Sequence, residues 1–369
     1  MKEAVFLQEV KEIQLLKNAL TLLDWDSSTG MPEKSSPFRG EVEGYLTGLY
    51  FERSIGPVIQ EALAYFETRP EELSELGKLV FEKVKEEYAL NKNVPAERMQ
   101  EYVKVLNQAH TDWLKARAAQ DFGLLEETLT KVVAFQKEFI PYWQKEEKTP
   151  YDVLLNQFEP GMTVEKLDQV FDQVKQGIQE IRTVLAEKGT PPRTDFLSRK
   201  MTKEQQRRFV IGVVEQLGYD FSKGRLDDTV HPFMTALNRN DARITTRWEE
   251  NNFSMATFGV IHEAGHGMYE QNFDPKFDFT PLSEGASMGI HESQSLFNEI
   301  IIGSNRAFWQ KQYPFFQECA EGTFDDIAFE DFYASLKETK ASLIRIDSDS
   351  LTYPLHIIDR KSTRLNSSH

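Results

Sequence analysis

The segment His262-Glu263-Ala264-Gly265-His266 brings together the residue types of a hydrolytic metal site. On a helix, positions i and i+4 share one face, so both imidazoles can hold one divalent cation while Glu263 leans over the adjacent open position. Catalytic zinc needs a third protein ligand and a fourth position left for water. His291-Glu292-Ser293-Gln294 opens a second helical stretch, and Glu292 follows His266 by 26 positions. That is room for one loop and the start of a returning antiparallel helix, which makes Glu292 the preferred third ligand. Glu270 and Glu299 compete with it; Glu270 shares a helix face with His266 but would extend the ligand row along one helix instead of closing a tetrahedron. With His262, His266 and Glu292 on one zinc ion, the bound water becomes acidic and a scissile carbonyl is polarised. Glu263 would remove the water proton and deliver it to the leaving amine, and a further donor would meet the oxyanion. The residues thus point to a zinc-dependent amide hydrolase, most simply a peptidase.

The elements that must carry these groups are mostly helical. Gly259, Gly265 and Gly267 fall in the helix of the first motif, each at a cost of ~1 kcal/mol relative to Ala. A helix that accepts them needs close backbone approach or room for a substrate beside it. Upstream, Phe6, Val10, Ile13, Leu16, Leu20 and Leu23 step by three or four and form one apolar stripe. Leu73, Leu76, Val80, Val84 and Tyr88 repeat the pattern after Pro70, and Met99, Val103, Leu106 and Trp113 repeat it after Pro95. Thr202 with Gln205 fits a capping box, and Gly218 stands where that helix should stop. Between Asp228 and Trp248 the texture changes. Ala242, Ile244 and Thr246 alternate with Arg243, Thr245 and Arg247 behind a polar turn at 238–241, which predicts a small hairpin. The expected division is an N-terminal helical region, 1–200, and a metal-binding region of the same peptidase domain, 201–359. The polar stretch 360–369 reads as a non-native tail and is set aside.

Composition closes off other classes. A chain of 369 residues with 40% apolar and 28% charged content suits a globular protein with a sizeable core. The formal charge of −16 argues against a nucleic-acid or anionic-membrane surface, because phosphate affinity comes from clustered Lys and Arg. Cys319 is the single cysteine, so a bound metal must use His and carboxylates. No apolar run approaches the ~20 residues of a membrane span. Glu3, Glu9 and Glu12 interrupt any signal-like stretch, which leaves a cytoplasmic protein as the expectation.

The chain resembles the thermostable-type (carboxypeptidase Taq) metallocarboxypeptidases. The markers occur in order: His231-Pro232-Phe233, Asp241-x-Arg243-x-Thr245, the His262–His266 pattern, and His291-Glu292-Ser293-Gln294. Ile344-Arg345-Ile346-Asp347-Ser348-Asp349 follows the pattern I-R-x-x-A-D with Ser in place of Ala. Asp24-Trp25-Asp26, Met31-Pro32 and Glu159-Pro160-Gly161-Met162 fit the family's earlier segments. The resemblance covers residues 1 to about 358; a further marker, G-x-x-Q-D-x-H-W, is not in the sequence, which reads as a C-terminally truncated member. It implies a mostly helical, two-lobed body with a long groove, and the alternating segment adds a small β-hairpin or sheet near the metal. The activity implied is release of single residues, of broad type but not proline, from peptide C-termini. The metal implied is one zinc per chain, or cobalt, and full-length relatives are homodimers. Arg345 is the candidate clamp for the substrate carboxylate, since a guanidinium offers a bidentate, permanently charged fork; a salt bridge to Asp347 or Asp349 is its structural alternative. His231 is a candidate oxyanion donor or a turn residue, and Asp241 with Arg243 a candidate substrate-orienting pair or a structural ion pair. His291 flanks Glu292 in a supporting or catalytic role. The rival functions are a zinc endo- or aminopeptidase on the same metal set, and an inactive fragment that only binds metal.

Overall fold

The structure, a computed structural model, describes residues 1–340, 342, 348–349 and 351–358. Arg345 of the candidate clamp and the 360–369 stretch lie outside the described residues. The N-terminal part runs through α1 (Glu3–Thr29), α2 (Ser36–Ser54), α3 (Pro57–Phe66), α4 (Glu75–Asn91), α5 (Ala96–Ala119), α6 (Gly123–Trp143), α7 (Pro150–Phe158) and α8 (Val164–Lys188). It continues with α9 (Lys203–Leu217), the strands β1 (Leu226–Asp228), β2 (Met234–Asn238) and β3 (Asp241–Thr246), and α10 (Phe253–Gln271). Then follow α11 (Met288–Leu296), a π-helical turn (Phe297–Ile302), α12 (Arg306–Cys319), α13 (Phe329–Ser335) and α14 (Tyr353–Ile358). The fold is mostly helical with one small sheet.

Local chemistry accounts for the element ends. Thr202 Oγ1 accepts from Gln205 N, and Gln205 Oε1 accepts from Thr202 N, so the capping box opens α9 as the sequence predicts. Gly218 closes it in the left-handed region at φ 115°. The Pro70 stripe differs in detail: Pro70–Glu72 is a short 3-10 turn, and α4 begins only after Ser74, whose hydroxyl accepts from Gly77 N. The stripe on α5 is helical as expected, yet Leu106 and Trp113 line a groove instead of filling a core.

The expected hairpin is part of a small three-stranded sheet. β2 and β3 pair antiparallel, with Met234 opposite Ile244 and Ala236 opposite Ala242, and β1 adds in parallel on the other edge of β3. As the central strand, β3 is covered on both sides, which is why Thr245 is buried along with Ala242, Ile244 and Thr246 and the alternation is lost near its end.

The described residues bury three apolar cores. One joins α1, α3 and α4 around Phe6, Ile59, Phe66 and Val80, and a second joins α5 to α7 around Phe135, Phe139 and Trp143. The largest lies in the C-terminal part, where Phe209, Ile244, Val260, Ile261, Trp309 and Phe316 pack α9, β3, α10 and α12 together. Val260, Ile261 and Ala264 anchor α10 in that core, so its remaining face, with His262, Glu263 and His266, turns to a groove of about 2390 Å³ between the N- and C-terminal parts.

Gly265 sets the distance between α10 and α11. A Cβ there would stand 2.7 Å from Gln294 O and 2.7 Å from Ser295 Cα, both backbone atoms that cannot swing away. Gly259 is the contrast, since its nearest neighbour would be Thr246 Oγ1 at 4.0 Å. Gly265→Ala should therefore lower the unfolding free energy by about 1–3 kcal/mol through overpacking, whereas Gly259→Ala should raise it by up to ~1 kcal/mol through helix propensity. Denaturant titration of the two variants checks the pair; equal behaviour would remove the close-approach argument.

Candidate metal centre

The helix α10 offers His262 and His266 one turn apart, and α11 returns beside it with Glu292 facing them. Glu292 Oε2 lies 3.7 Å from His262 Nε2 and 3.4 Å from His266 Nε2. All three donor atoms fall within 4.8 Å of one another, the one such His/Cys/Asp/Glu group among the described residues. Metal–ligand bonds of ~2.1 Å in a tetrahedron put neighbouring donors about 3.4 Å apart, so this spacing suits one small divalent cation. Glu270 and Glu299, the rival candidates from the sequence, stand outside the group.

The other ring nitrogens are already engaged. His262 Nδ1 lies 2.7 Å from Glu299 Oε2, and His266 Nδ1 lies 2.6 Å from His291 Nδ1. This leaves the two Nε2 lone pairs as the outward donors and fits the residues to a cation by the chemistry of the donor set. Glu299 reaches His262 from the π-helical turn that continues α11; such turns recur at functional sites. Ser295 Oγ, 3.2 Å from Glu292 Oε2, steadies the carboxylate.

The start of α11 is held twice. Ser287 accepts from Ile290 N, and the Glu159 carboxylate accepts from Gly289 N at 2.9 Å across the groove. A Cβ on Gly289 would meet that carboxylate, so a larger residue there would push the Glu159 side chain aside. The sequence offered Glu159 only within a family segment and nothing that paired it with α11.

Electrostatics in the cluster favour positive charge. Burial by itself would lower the His262 pKa, but the hydrogen bond to Glu299 and the charges of Glu263, Glu299 and Glu292 push it up to about 9. His266 moves the other way, lowered by burial and by the neighbouring imidazoles of His262 and His291 against the pull of Glu292. For Glu292 the desolvation that would raise its pKa is outweighed by the contact with His266, so it is lowered. Glu263 is 7% exposed, and burial, with Glu292 and Glu299 nearby, pushes it up to about 7 against the opposing charge of His262.

Of the remaining sequence candidates, His231 lines the groove. Its Phe233 neighbour is tied to Thr245, whose Oγ1 accepts from Phe233 N and donates to Phe233 O, both at 2.8 Å. Two of the sequence markers are thus one structural unit. Asp241 and Arg243 form a bidentate pair with both contacts at 2.8 Å, and the Arg243 guanidinium lies 4.4 Å from the Trp25 ring centroid. That pair is not among the residues lining the groove.

Comparison with known proteins gives the family. Residues 5–362 match the family described as carboxypeptidase Taq (M32) metallopeptidase. The chain is 44% identical over 358 residues to Carboxypeptidase 1 of Bacillus subtilis (strain 168), covering 97% of this chain and 71% of that protein. Among solved structures it is similar to BsuCP, with a TM-score of 0.93, 43% identity, and 97% of this chain matched to 72% of that one. It is also similar to the M32 carboxypeptidase from Deinococcus radiodurans R1, with a TM-score of 0.88, 33% identity, and coverages of 96% and 71%. A match across nearly the whole sequence, on a fold shared with these relatives, makes this chain a member of the carboxypeptidase Taq (M32) metallopeptidase family.

Proposed function

We propose that the chain is a zinc-dependent carboxypeptidase that releases single residues, broad in type but excluding proline, from peptide C-termini. The observation that carries this reading is the convergence of His262 Nε2, His266 Nε2 and Glu292 Oε2 beside the buried Glu263 in an open groove. Two imidazoles and one carboxylate suit zinc, and cobalt accepts the same donors. The bound ion would supply Lewis acidity toward the scissile carbonyl and an acidified water.

The chain's own residues do the rest. Glu263 takes the proton of the attacking water and returns it to the leaving amine. His231, on the groove wall, donates to the developing oxyanion. Arg345 grips the terminal carboxylate; this assignment rests on the resemblance and on guanidinium geometry. The substrate-binding role of Asp241 and Arg243 also rests on the resemblance, beside their contacts with each other and with Trp25. The homodimer implied by the resemblance and the cytoplasmic location expected from the sequence stand as proposals beside these.

Glu263→Gln keeps the shape of the site but removes the base. It should retain metal, measured by elemental analysis, while kcat falls about 10²–10⁴-fold; loss of the metal would make Glu263 a ligand and reverse the assignment. Chelation of the wild-type chain should abolish release of C-terminal residues, and added Zn²⁺ or Co²⁺ should restore it. A peptide amidated at its C-terminus loses a charged bidentate contact worth ~1.5–3 kcal/mol, so kcat/KM should drop about tenfold to a hundredfold. Equal cleavage of the free and amidated peptides would favour an endopeptidase.

A further inference from the structure

His266 is held at both ring nitrogens by consecutive residues of α11. Glu292 faces Nε2, and His291 meets Nδ1. His291 in turn places its Nε2 2.9 Å from Glu270 Oε1, and Glu270 is only 6% exposed. The His291 ring sits in a fitted slot: a Cβ on Gly285 would stand 2.7 Å from its Cδ2, and the Tyr269 ring packs edge-on at 5.4 Å and 81°.

The 2.6 Å between the two Nδ1 atoms decides what joins them. A cation bridging two imidazoles with bonds of ~2.1 Å would hold the nitrogens about 3 Å apart or more, so the link is one shared proton. If His266 gives its Nε2 lone pair to a metal, its proton must sit on Nδ1 and be donated to His291. His291 must then carry its own proton on Nε2 and donate it to the Glu270 carboxylate. Each protonation state follows from the one before. His262 differs, since Glu299 backs its Nδ1 directly.

We propose that His291 and Glu270 are positioning residues: a carboxylate–imidazole–imidazole relay that locks the tautomer and ring orientation of His266 and so sets how tightly the site holds its divalent cation. This deepens the metal-site reading above and rests on it. A buried carboxylate costs stability that an apolar residue would not. Here that cost sits where it orients a ligand, as the outer partners of metal-bound histidines do.

The test measures Co²⁺ binding by the whole chain in competition with a chelating dye, alongside the visible spectrum of the bound Co²⁺ and the unfolding midpoint of the metal-free protein. Glu270→Gln should raise the Kd about ten- to hundredfold and perturb the spectrum, with the metal-free midpoint close to wild type. Gly285→Ala, which displaces the His291 ring without touching a donor, should raise the Kd in the same direction and carries the test if Glu270→Gln does not fold. A folded variant whose Kd stays within about twofold of wild type, or one that loses only metal-free stability, overturns the relay. Co²⁺ binding that is missing in the wild type, or unchanged by His262→Ala, instead removes the metal site and the relay with it.

Discussion

The catalytic half of the molecule depends on how closely two helix backbones approach. A carboxylate on α11 can stand between two imidazoles on α10 only if the helices touch where the imidazoles are, and at Gly265 they do, against Gln294 and Ser295. The glycine sits between the residues it serves: Glu263 and His266 flank it on α10, and Glu292 lies just before the facing backbone on α11. Burying Val260, Ile261 and Ala264 behind this contact turns a general helix–helix packing into a site with donors 3.4 and 3.7 Å apart.

Much of this was legible in the sequence, because it rests on spacing. The i, i+4 histidines, the glycines that ask for close approach and the returning helix with Glu292 all follow from periodicity. The parts that escaped depend on orientation. Glu270 and Glu299 read as rival ligands, since sequence shows that a carboxylate is near a histidine but not which nitrogen it faces. The π-helical turn that brings Glu299 to His262 Nδ1 has no simple periodic signal. His291 was recognised as a neighbour of Glu292, yet its slot needs Gly285 and Tyr269, which no motif joins to it. β1, three residues long, is too short to show alternation, and the α5 stripe gave the right helix with an unexpected exposure to the groove.

Charge explains why a polar cluster persists beside an apolar core. Glu263, Glu292 and Glu299 crowd one imidazole, and the cluster answers by drawing a proton onto His262 up to about pH 9. Carboxylates this close raise one another's pKa, as at Glu263, unless positive charge stands among them. A divalent cation at the His262, His266 and Glu292 donors would meet the same demand. The acidity of the cluster is therefore part of what suits it to a cation.

The N-terminal helices are joined to this centre by specific contacts. Asn18 of α1 donates to Leu237 O at the end of β2, and Lys17 pairs with Glu284 beside the slot of His291. Lys11 lies 4.5 Å from the Phe279 ring centroid, and Leu282 packs into the core built from α1, α3 and α4. Glu159, at the end of α7, reaches the first turn of α11. Most of these contacts meet the 278–289 stretch, the segment that leads from α10 into α11 and sets where Glu292 arrives. A polar interface of this kind yields more readily than an apolar core, since each contact exchanges with water at small net cost. The stretch that leads into α11 and Glu292 is thus tied to the N-terminal helices mainly by polar contacts.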